Sequence, residues 1–408
     1  MKRKSEQGKG TEASKVGRIT AFLRKDDAKI TKGSWEEVTT GQGQQVLAYA
    51  PYGFKPSSPA VTFNVDGTLV SIKSGKKLPT GPGDWAWISP AIPAKLRQLH
   101  SDGVTLVALV DEVSNLAKGK VKTDEVKERL EVVMAAVKVP VMILVAVSVG
   151  CQKPAPCLWE YLETCFPEGA SVDRAKCVYI GNEAGRPAGW KAGAKKDSSC
   201  VDRKFALNAG VGFHTPEEYF LQQPIAPFDL GFDPASLLKL PDTALPEPER
   251  GSHPEMIVLV GPPAAGKSTV AQRHFAEKHG YVRVNRDELK SESKCLKKCE
   301  ESLAAGECVV IDNTNPTKVA RHAFLALALA ANVPVRCIIL ETPLEICFHL
   351  NMVRERTGGV KHIPAVAYNI YRSKYEEPDS SEGFSEIVKV PFSPSFDVVE
   401  KKTLLEHT

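Results

Sequence analysis

One segment, MIVLVGPPAAGKST at 256–269, has glycine, lysine and hydroxyl side chains spaced for phosphate binding. An apolar strand, a glycine-bounded loop ending in Gly-Lys-Ser and a following helix are typical of a P-loop. In such a loop backbone N–H groups converge on phosphate oxygens, the lysine neutralises the β- and γ-phosphates, and the serine hydroxyl is available to Mg²⁺. A chance glycine turn is the alternative. The predicted nucleotide-binding residues are Gly261, Pro262, Pro263, Ala264, Ala265, Gly266, Lys267, Ser268 and Thr269.

Two aspartates that follow later apolar segments could complete a phosphoryl-transfer site. Asp287 ends the segment YVRVNRD, and Asp312 begins DNTNP after the run CVVI. Phosphoryl transfer to a hydroxyl needs a base for the released proton, which contributes about 10²–10⁴-fold to the rate. We expect Asp287 to be this base. We expect Asp312 either to orient a catalytic or phosphate-binding side chain or to support Mg²⁺; for both aspartates the alternative is a helix N-cap.

The elements around these residues predict an α/β domain with a parallel sheet. Strands are predicted at 256–260, 281–284, 307–311 and 333–340, and helices at 267–279, 287–305 and 317–331. The carboxyl ends of parallel strands meet at one edge of a sheet, so this order brings the P-loop and both aspartates together. The layout is that of a compact P-loop kinase.

The segments GPPAAGKST, VNRD and IDNTNP, in this order and spacing, resemble the kinase domain of the eukaryotic polynucleotide kinase 3′-phosphatase family. The resemblance implies ATP- and Mg²⁺-dependent phosphorylation of a 5′-hydroxyl at DNA ends, with Asp287 as the general base. HLNMVRER at 349–356 is similar to the family's lid, whose arginines contact the transferring phosphate. Met352 replaces one lid arginine, so either Arg354 or Arg356 is expected to do this work.

The first part of the chain is predicted to form a second α/β domain. Strands are expected at 60–65, 104–110, 140–148 and 177–180, with a helix at 122–136. FNVDGTLV, LPTGPGDW and GNEAGRPAGW resemble the same family's phosphatase half, which belongs to the haloacid dehalogenase superfamily. The resemblance therefore implies a haloacid-dehalogenase-like Rossmannoid domain followed by a P-loop kinase domain.

This domain departs from the family at its catalytic positions. Asn64 replaces the nucleophilic aspartate, Val110 replaces the phosphate-binding Thr or Ser, and Asn182 with Glu183 replaces an Asp-Ala pair. An amide carries no charge, so it neither attacks phosphorus nor neutralises Mg²⁺. We expect a pseudophosphatase that retains Asp66 and Lys153. We also expect Lys153 to attract a terminal 3′-phosphate. Residual phosphatase activity through Glu183 or Asp66, and a DNA-end-binding scaffold without turnover, are the alternatives.

Composition and length set the remaining expectations. With 408 residues, 42% hydrophobic and 25% charged, the chain predicts a soluble protein of more than one domain. We predict a disordered basic tail at 1–44, a phosphatase-like domain at 45–227, a Pro-rich linker at 228–252 and a kinase domain at 253–408. We expect a nuclear monomer with no membrane segment; the mitochondrion and the cytoplasm are the alternatives.

Two smaller features of the sequence are each compatible with two interpretations. Ile19, Phe22 and Leu23 have helical spacing and resemble peptides that dock on the replication sliding clamp, although packing on the protein itself is equally compatible. The basic run 191–196, with Arg186 and Arg203, is either a contact for a nucleic-acid backbone or a solvated loop. The cysteines are mostly single within apolar runs, so we expect reduced thiols.

Overall fold

A computed structural model describes residues 32–168, 172–241, 245–246, 254–358, 360–393 and 402–408. The chain forms two compact units. The first contains the described residues up to Gly231 together with Glu406–Thr408, and the second contains those of Phe232–Leu405. The docking anchor predicted at Ile19, Phe22 and Leu23 lies outside the described residues.

A seven-stranded mixed sheet forms the centre of the first unit, in the order β1-β2-β7-β6-β3-β8-β9. The strands β1 to β9 span Gly33–Thr39, Gln45–Pro51, Ala60–Phe63, Val70–Ser71, Ala86–Trp87, Thr105–Asp111, Met142–Ala146, Val178–Ile180 and Gly212–His214, with β4 and β5 forming a separate hairpin. The central strands β3, β6, β7 and β8 are apolar runs that pair in parallel. Strands of this kind are buried on both faces.

Helices cover this sheet and bury two apolar clusters against it. They span Ala91–Ser101, Val113–Ala117, Thr123–Ala135, Cys157–Thr164, Val201–Ala209 and Pro216–Leu221. The four predicted strands and the predicted helix are confirmed within a few residues. Strand β1 was missed, because it lies within the segment 1–44 that we predicted to be a tail. Its polar sequence forms an edge strand through Trp35, which packs on Tyr49 and donates to the Glu131 carboxylate at 2.6 Å.

The second unit has a five-stranded parallel sheet in the order β11-β12-β10-β13-β14. The strands β10 to β14 span Met256–Val260, Val282–Val284, Val309–Ile311, Val335–Glu341 and Glu386–Pro391. The helices span Lys267–Thr269, continued by a π-helix at Val270–Glu277, then Arg286–Leu289, Glu292–Ala304, Lys318–Ala330, Leu344–Gly358 and Ala365–Lys374. The predicted parallel α/β layout is confirmed.

Two predicted segments of this unit differ from the structure. The helix expected at 287–305 is two helices, because Lys290 adopts a left-handed φ of 69° and Ser291 caps the second helix by accepting from the Lys294 N–H at 3.3 Å. The predicted linker 228–252 contains a 3₁₀ helix at Pro234–Lys239. Its Leu237 is buried in one apolar cluster with Ile346 and Leu404, so this part of the linker belongs to the second unit.

Eight of the ten cysteines are free, in agreement with the expected thiols. Cys151 and Cys157 are instead paired, because a 3₁₀ turn and the start of a helix place their Cα atoms 4.9 Å apart. Among the helices that the structure describes, none is both long enough and apolar enough to cross a membrane.

Candidate functional site

The P-loop joins the carboxyl end of β10 to the helix that begins at Lys267. Gly266 has a φ of 94°, which glycine adopts without steric cost. The Gly261 N–H donates to the Thr314 carbonyl at 3.3 Å, and the Thr342 hydroxyl donates to the Ala265 carbonyl at 2.9 Å. Segments after β12 and β13 therefore hold the loop in place.

Lys267 is buried against the loop that it follows. Its ammonium donates to the Gly261 carbonyl at 2.9 Å and to the Pro262 carbonyl at 2.6 Å. Burial lowers the pKa of Lys267 to about 8, although the nearby Asp312 carboxylate opposes this shift. Arg354 lowers and Asp287 raises the same pKa by smaller amounts. The predicted catalytic residues Lys267, Asp287 and Arg354 are thus within electrostatic reach of one another.

The lowered pKa of Lys267 predicts a pH-dependent affinity for ATP. Below about pH 8 the lysine is protonated and attracts the phosphates, and above it the free protein must take up a proton to regain that charge. We expect the affinity for a non-hydrolysable ATP analogue to fall by up to about tenfold per pH unit above pH 8. Calorimetry across this pH range measures the affinity for the analogue. Lys267→Arg, which stays protonated, should remove the dependence, and the same slope in both proteins would contradict this assignment.

Asp287 lies in the first turn of the helix Arg286–Leu289 and is exposed. Asn285 caps this helix, with its side-chain oxygen accepting from the backbone N–H groups of Asp287 at 2.8 Å and Glu288 at 3.2 Å. After the Asp312 loop, Thr317 caps the next helix. The N-cap alternative is therefore wrong for both aspartates, and the Asp287 carboxylate is accessible to a substrate.

Asp312 is buried and joins two loops of the site. Its Oδ2 atom accepts from Arg283 Nε at 2.9 Å, Arg283 Nη2 at 2.6 Å and Asn285 Nδ2 at 2.7 Å. Asn285 in turn positions the turn that carries Asp287. These contacts favour the orienting role over metal binding for Asp312, because an arginine already neutralises its carboxylate. Ser268, the other predicted metal ligand, has an exposed hydroxyl at the start of the P-loop helix.

The sequence did not single out the buried polar residues behind this site. Asn315 donates from Nδ2 to the Leu259 carbonyl at 2.7 Å, in the strand that leads into the P-loop. Arg321 is fully buried; it donates to the Asn315 carbonyl at 3.1 Å and forms a two-point ion pair with Glu382. Asn315 lies within the recognised segment IDNTNP, but nothing marked Arg321 within its apolar helix.

The lid residues lie on the helix Leu344–Gly358. Arg354 is exposed and close enough to Lys267 to affect its pKa. Arg356 is half-buried on the same helix. This electrostatic interaction with Lys267 favours Arg354 as the arginine that reaches the transferring phosphate.

The departures from the phosphatase pattern meet at one edge of the first sheet. Asn64 follows β3, Val110 lies in β6, and Asn182 follows β8. Val110 is buried in an apolar cluster and offers no polar group. The Asn182 Oδ1 atom accepts from the Thr68 hydroxyl at 3.0 Å and from Asn64 Nδ2 at 3.4 Å. No group of three or more His, Cys, Asp or Glu side chains within the described residues is arranged to hold a metal ion.

Lys153 is buried, and carboxylate and phenol groups already bind its ammonium. Lys153 Nζ donates to Asp202 Oδ1 at 3.0 Å and to the Tyr179 hydroxyl at 2.6 Å. The Asp111 carboxylate accepts from the Lys153 backbone N–H at 2.9 Å, and burial raises the pKa of this carboxyl group. These contacts oppose the expectation that Lys153 attracts a terminal 3′-phosphate, because its charge is already paired with Asp202.

The two acids offered as substitutes for the missing nucleophile also have partners. Arg129 binds both oxygens of the Asp66 carboxylate, one of them at 2.9 Å. The Glu183 carboxylate accepts from the Ser198 hydroxyl at 2.8 Å and from the Ser199 N–H at 2.7 Å. Both contacts favour an inactive phosphatase site.

Arg186 and Arg203 are buried, which argues against a role in binding a nucleic-acid backbone. Arg186 donates to Asp197 at 2.8 Å and to Glu217 at 2.9 Å. Lys191, Lys195 and Lys196 are the described lysines of the basic run, and Lys195 and Lys196 are exposed like Lys191. Of the basic residues named for this region, these three lysines remain candidates for contact with a nucleic-acid backbone.

The matches to protein families agree with the division of the chain into two units. Residues 59–220 match the family described as polynucleotide kinase 3 phosphatase, and residues 256–378 match the AAA domain family. A bifunctional polynucleotide phosphatase/kinase of Schizosaccharomyces pombe is 32% identical over 351 residues, covering 85% of this chain and 83% of that protein. A polynucleotide 3′-phosphatase of Arabidopsis thaliana is 33% identical over 190 residues, covering 43% of this chain and 26% of that protein. A gluconokinase structure from Sinorhizobium meliloti is 20% identical with a TM-score of 0.28, covering 37% of this chain and 90% of the other.

Proposed function

This chain belongs to the polynucleotide phosphatase/kinase family, and from that premise we propose that it uses ATP to phosphorylate 5′-hydroxyl ends of DNA without releasing 3′-phosphates. The observation that carries the kinase half is that Lys267, Asp287 and Asp312 follow β10, β11 and β12, whose carboxyl ends lie at one edge of a parallel sheet. A P-loop, a carboxylate base and a cation for the transferring phosphate are the groups that phosphoryl transfer to a hydroxyl requires.

In the proposed reaction the 5′-hydroxyl oxygen attacks the γ-phosphorus of ATP and ADP leaves. The Asp287 carboxylate takes the hydroxyl proton as the new O–P bond forms. Lys267 exchanges the Gly261 and Pro262 carbonyls for β- and γ-phosphate oxygens, and Arg354 adds positive charge as negative charge develops. Asp312 and Asn285 act through position, because they fix the loop that carries Asp287.

Mg²⁺ fits the kinase site through Ser268. Its hydroxyl is exposed beside the P-loop and is an oxygen donor of the kind that Mg²⁺ accepts. The ion would neutralise phosphate charge when bound with ATP. The same ion does not fit the phosphatase unit, where Asn64 and Asn182 provide amides in place of two carboxylates.

Parallel assays on 5′-hydroxyl and 3′-phosphate oligonucleotides test this proposal. We expect ATP-dependent labelling of the first substrate and no phosphate release from the second. Labelling of the first substrate together with phosphate release from the second would support the bifunctional alternative. Activity on neither, with retained binding to DNA ends, would support a scaffold instead.

Restoring the phosphatase site should create an activity that the natural chain lacks. The change is Asn64→Asp, Val110→Thr and Asn182→Asp combined with Glu183→Ala, because the Glu183 carboxylate lies 3.3 Å from the Asn182 side-chain nitrogen and would repel an aspartate there. We expect Mg²⁺-dependent release of phosphate from a 3′-phosphate oligonucleotide. The same variant with Asn64 retained is the control and should release none. Strong release by the unmodified chain would contradict the pseudophosphatase assignment.

The cellular setting follows from the substrate. We propose that the chain acts on DNA strand breaks in the nucleus, because phosphorylated 5′ ends are needed for joining. Ile19, Phe22 and Leu23 are proposed to dock on a sliding clamp or another repair protein. Alanine at all three positions should then abolish that binding without changing kinase activity. We do not extend the proposal to 3′-phosphate recognition, because Lys153 is paired with Asp202.

A further inference from the structure

The loops that follow β3 and β8 in the first unit contact each other directly. Asn182 Oδ1 accepts from the Thr68 hydroxyl at 3.0 Å and from Asn64 Nδ2 at 3.4 Å. Asn64 Nδ2 also donates to the Asp66 carbonyl at 3.1 Å. We call Asn64, Thr68 and Asn182 the amide bridge. The packing is close, since a Cβ atom added to Gly67 would lie 2.7 Å from the Asn182 side chain.

A third loop is joined to the amide bridge through the neighbouring residue. Glu183 Oε1 accepts from Asn182 Nδ2 at 3.3 Å. Glu183 Oε2 accepts from the Ser198 hydroxyl at 2.8 Å and from the Ser199 N–H at 2.7 Å. The adjacent residues Asn182 and Glu183 therefore connect the loops that begin at 64, 181 and 198.

Charge explains why the amide bridge is stable without a cation. Side-chain atoms of positions 64 and 182 meet as donor and acceptor, whereas carboxylates at both positions would repel each other at this separation. The inward Nδ2 atom of Asn64 is a hydrogen-bond donor and cannot serve as a metal ligand. These hydrogen bonds join the two loops directly, without a bound Mg²⁺ between them.

We propose that the amide bridge, extended by Glu183, replaces a metal ion in holding together the loops of the phosphatase unit. This inference rests on the proposed loss of phosphatase activity. The amides at Asn64 and Asn182 preserve the shape of the inactive site through direct contacts between its loops. The fold of the phosphatase unit is then independent of divalent cations.

Hydrogen exchange of the full chain, with Mg²⁺ or with a chelator, tests the bridge locally. In the natural chain we expect peptides covering 60–70 and 178–200 to exchange at the same rate in both conditions. Asn64→Asp with Asn182→Asp should speed exchange about tenfold in chelator, and Mg²⁺ should restore protection. Asn369→Asp, on an exposed helix position of the second unit, is the matched control and should change neither peptide.

Glu183→Ala gives a second measurement, because it keeps the neutral amides. It should speed exchange near 198–200 equally with and without Mg²⁺. Mg²⁺-dependent protection in the natural chain would overturn the proposal, as would unchanged exchange in the double aspartate variant. Phosphate release is measured separately, so release by the natural chain counts against the proposed function, whereas the exchange data decide the amide bridge.

Discussion

Replacing Asp287 with asparagine should lower kcat for 5′-hydroxyl phosphorylation by about 10²–10⁴-fold and leave ATP affinity nearly unchanged. Asparagine keeps the shape of the side chain but cannot take up the hydroxyl proton at neutral pH. The backbone N–H of residue 287 still donates to Asn285, so the turn should persist. The lower kcat therefore reflects weaker stabilisation of the transition state and not weaker binding of ATP.

Steady-state kinetics with saturating ATP and oligonucleotide separate this effect from weaker binding. Glu292→Gln is the matched control, because Glu292 is another exposed acid in the first turn of the next helix. It should retain kcat within a few-fold. Near-normal turnover of the Asp287 variant would remove that residue from the role of base. An equal loss in the control would point to general electrostatics of this surface.

The sequence predicted where the candidate kinase residues lie in the fold wherever a local pattern marks them. The P-loop spacing put Lys267 at the start of the helix after β10, where the structure has it, and the apolar runs before Asp287 and Asp312 put both aspartates at one edge of a parallel sheet. The helix break at Lys290 was not predicted, because no local sequence pattern indicates that this lysine adopts a left-handed backbone conformation. Arg321 escaped prediction for a similar reason: its buried ion pair with Glu382 joins residues 61 positions apart.

The phosphatase unit shows a different limit. The substitutions at Asn64, Val110 and Asn182 were visible in the sequence, and they predicted a site without chemistry. The partners of Lys153 were not visible, so its charge was expected to be available to a phosphate. Asp202 and Tyr179 approach it from distant parts of the chain. Residue type predicts which charges are lost, whereas only the fold shows which of the remaining charges are already paired.

Lys267→Met should abolish 5′-phosphorylation, with a loss of at least about 10²–10³-fold. The P-loop lysine provides the positive charge that contacts the β- and γ-phosphates, and no nearby cation occupies the same position. Methionine keeps a long unbranched side chain, so the space that the lysine side chain fills beside the P-loop stays occupied. ATP affinity should fall together with kcat, which distinguishes this variant from Asp287→Asn. Lys278→Met, an exposed lysine in the same segment, is the matched control and should stay active.

The same variant should be at least as stable as the natural chain, although it is inactive. Burial lowers the pKa of Lys267 from 10.5 to about 8, so the unfolded chain binds this proton more tightly than the folded chain does. Holding the charged lysine therefore destabilises the fold by about 3 kcal/mol, fully below about pH 8 and progressively less as the pH rises towards the unfolded pKa. Loss of the hydrogen bonds to Gly261 and Pro262 offsets part of the gain. Urea unfolding at about pH 7 and pH 10 measures the difference, which should favour the variant more at the lower pH. A variant that is less stable at neutral pH would show that Lys267 supports the fold, and its lost activity would then not report on catalysis alone.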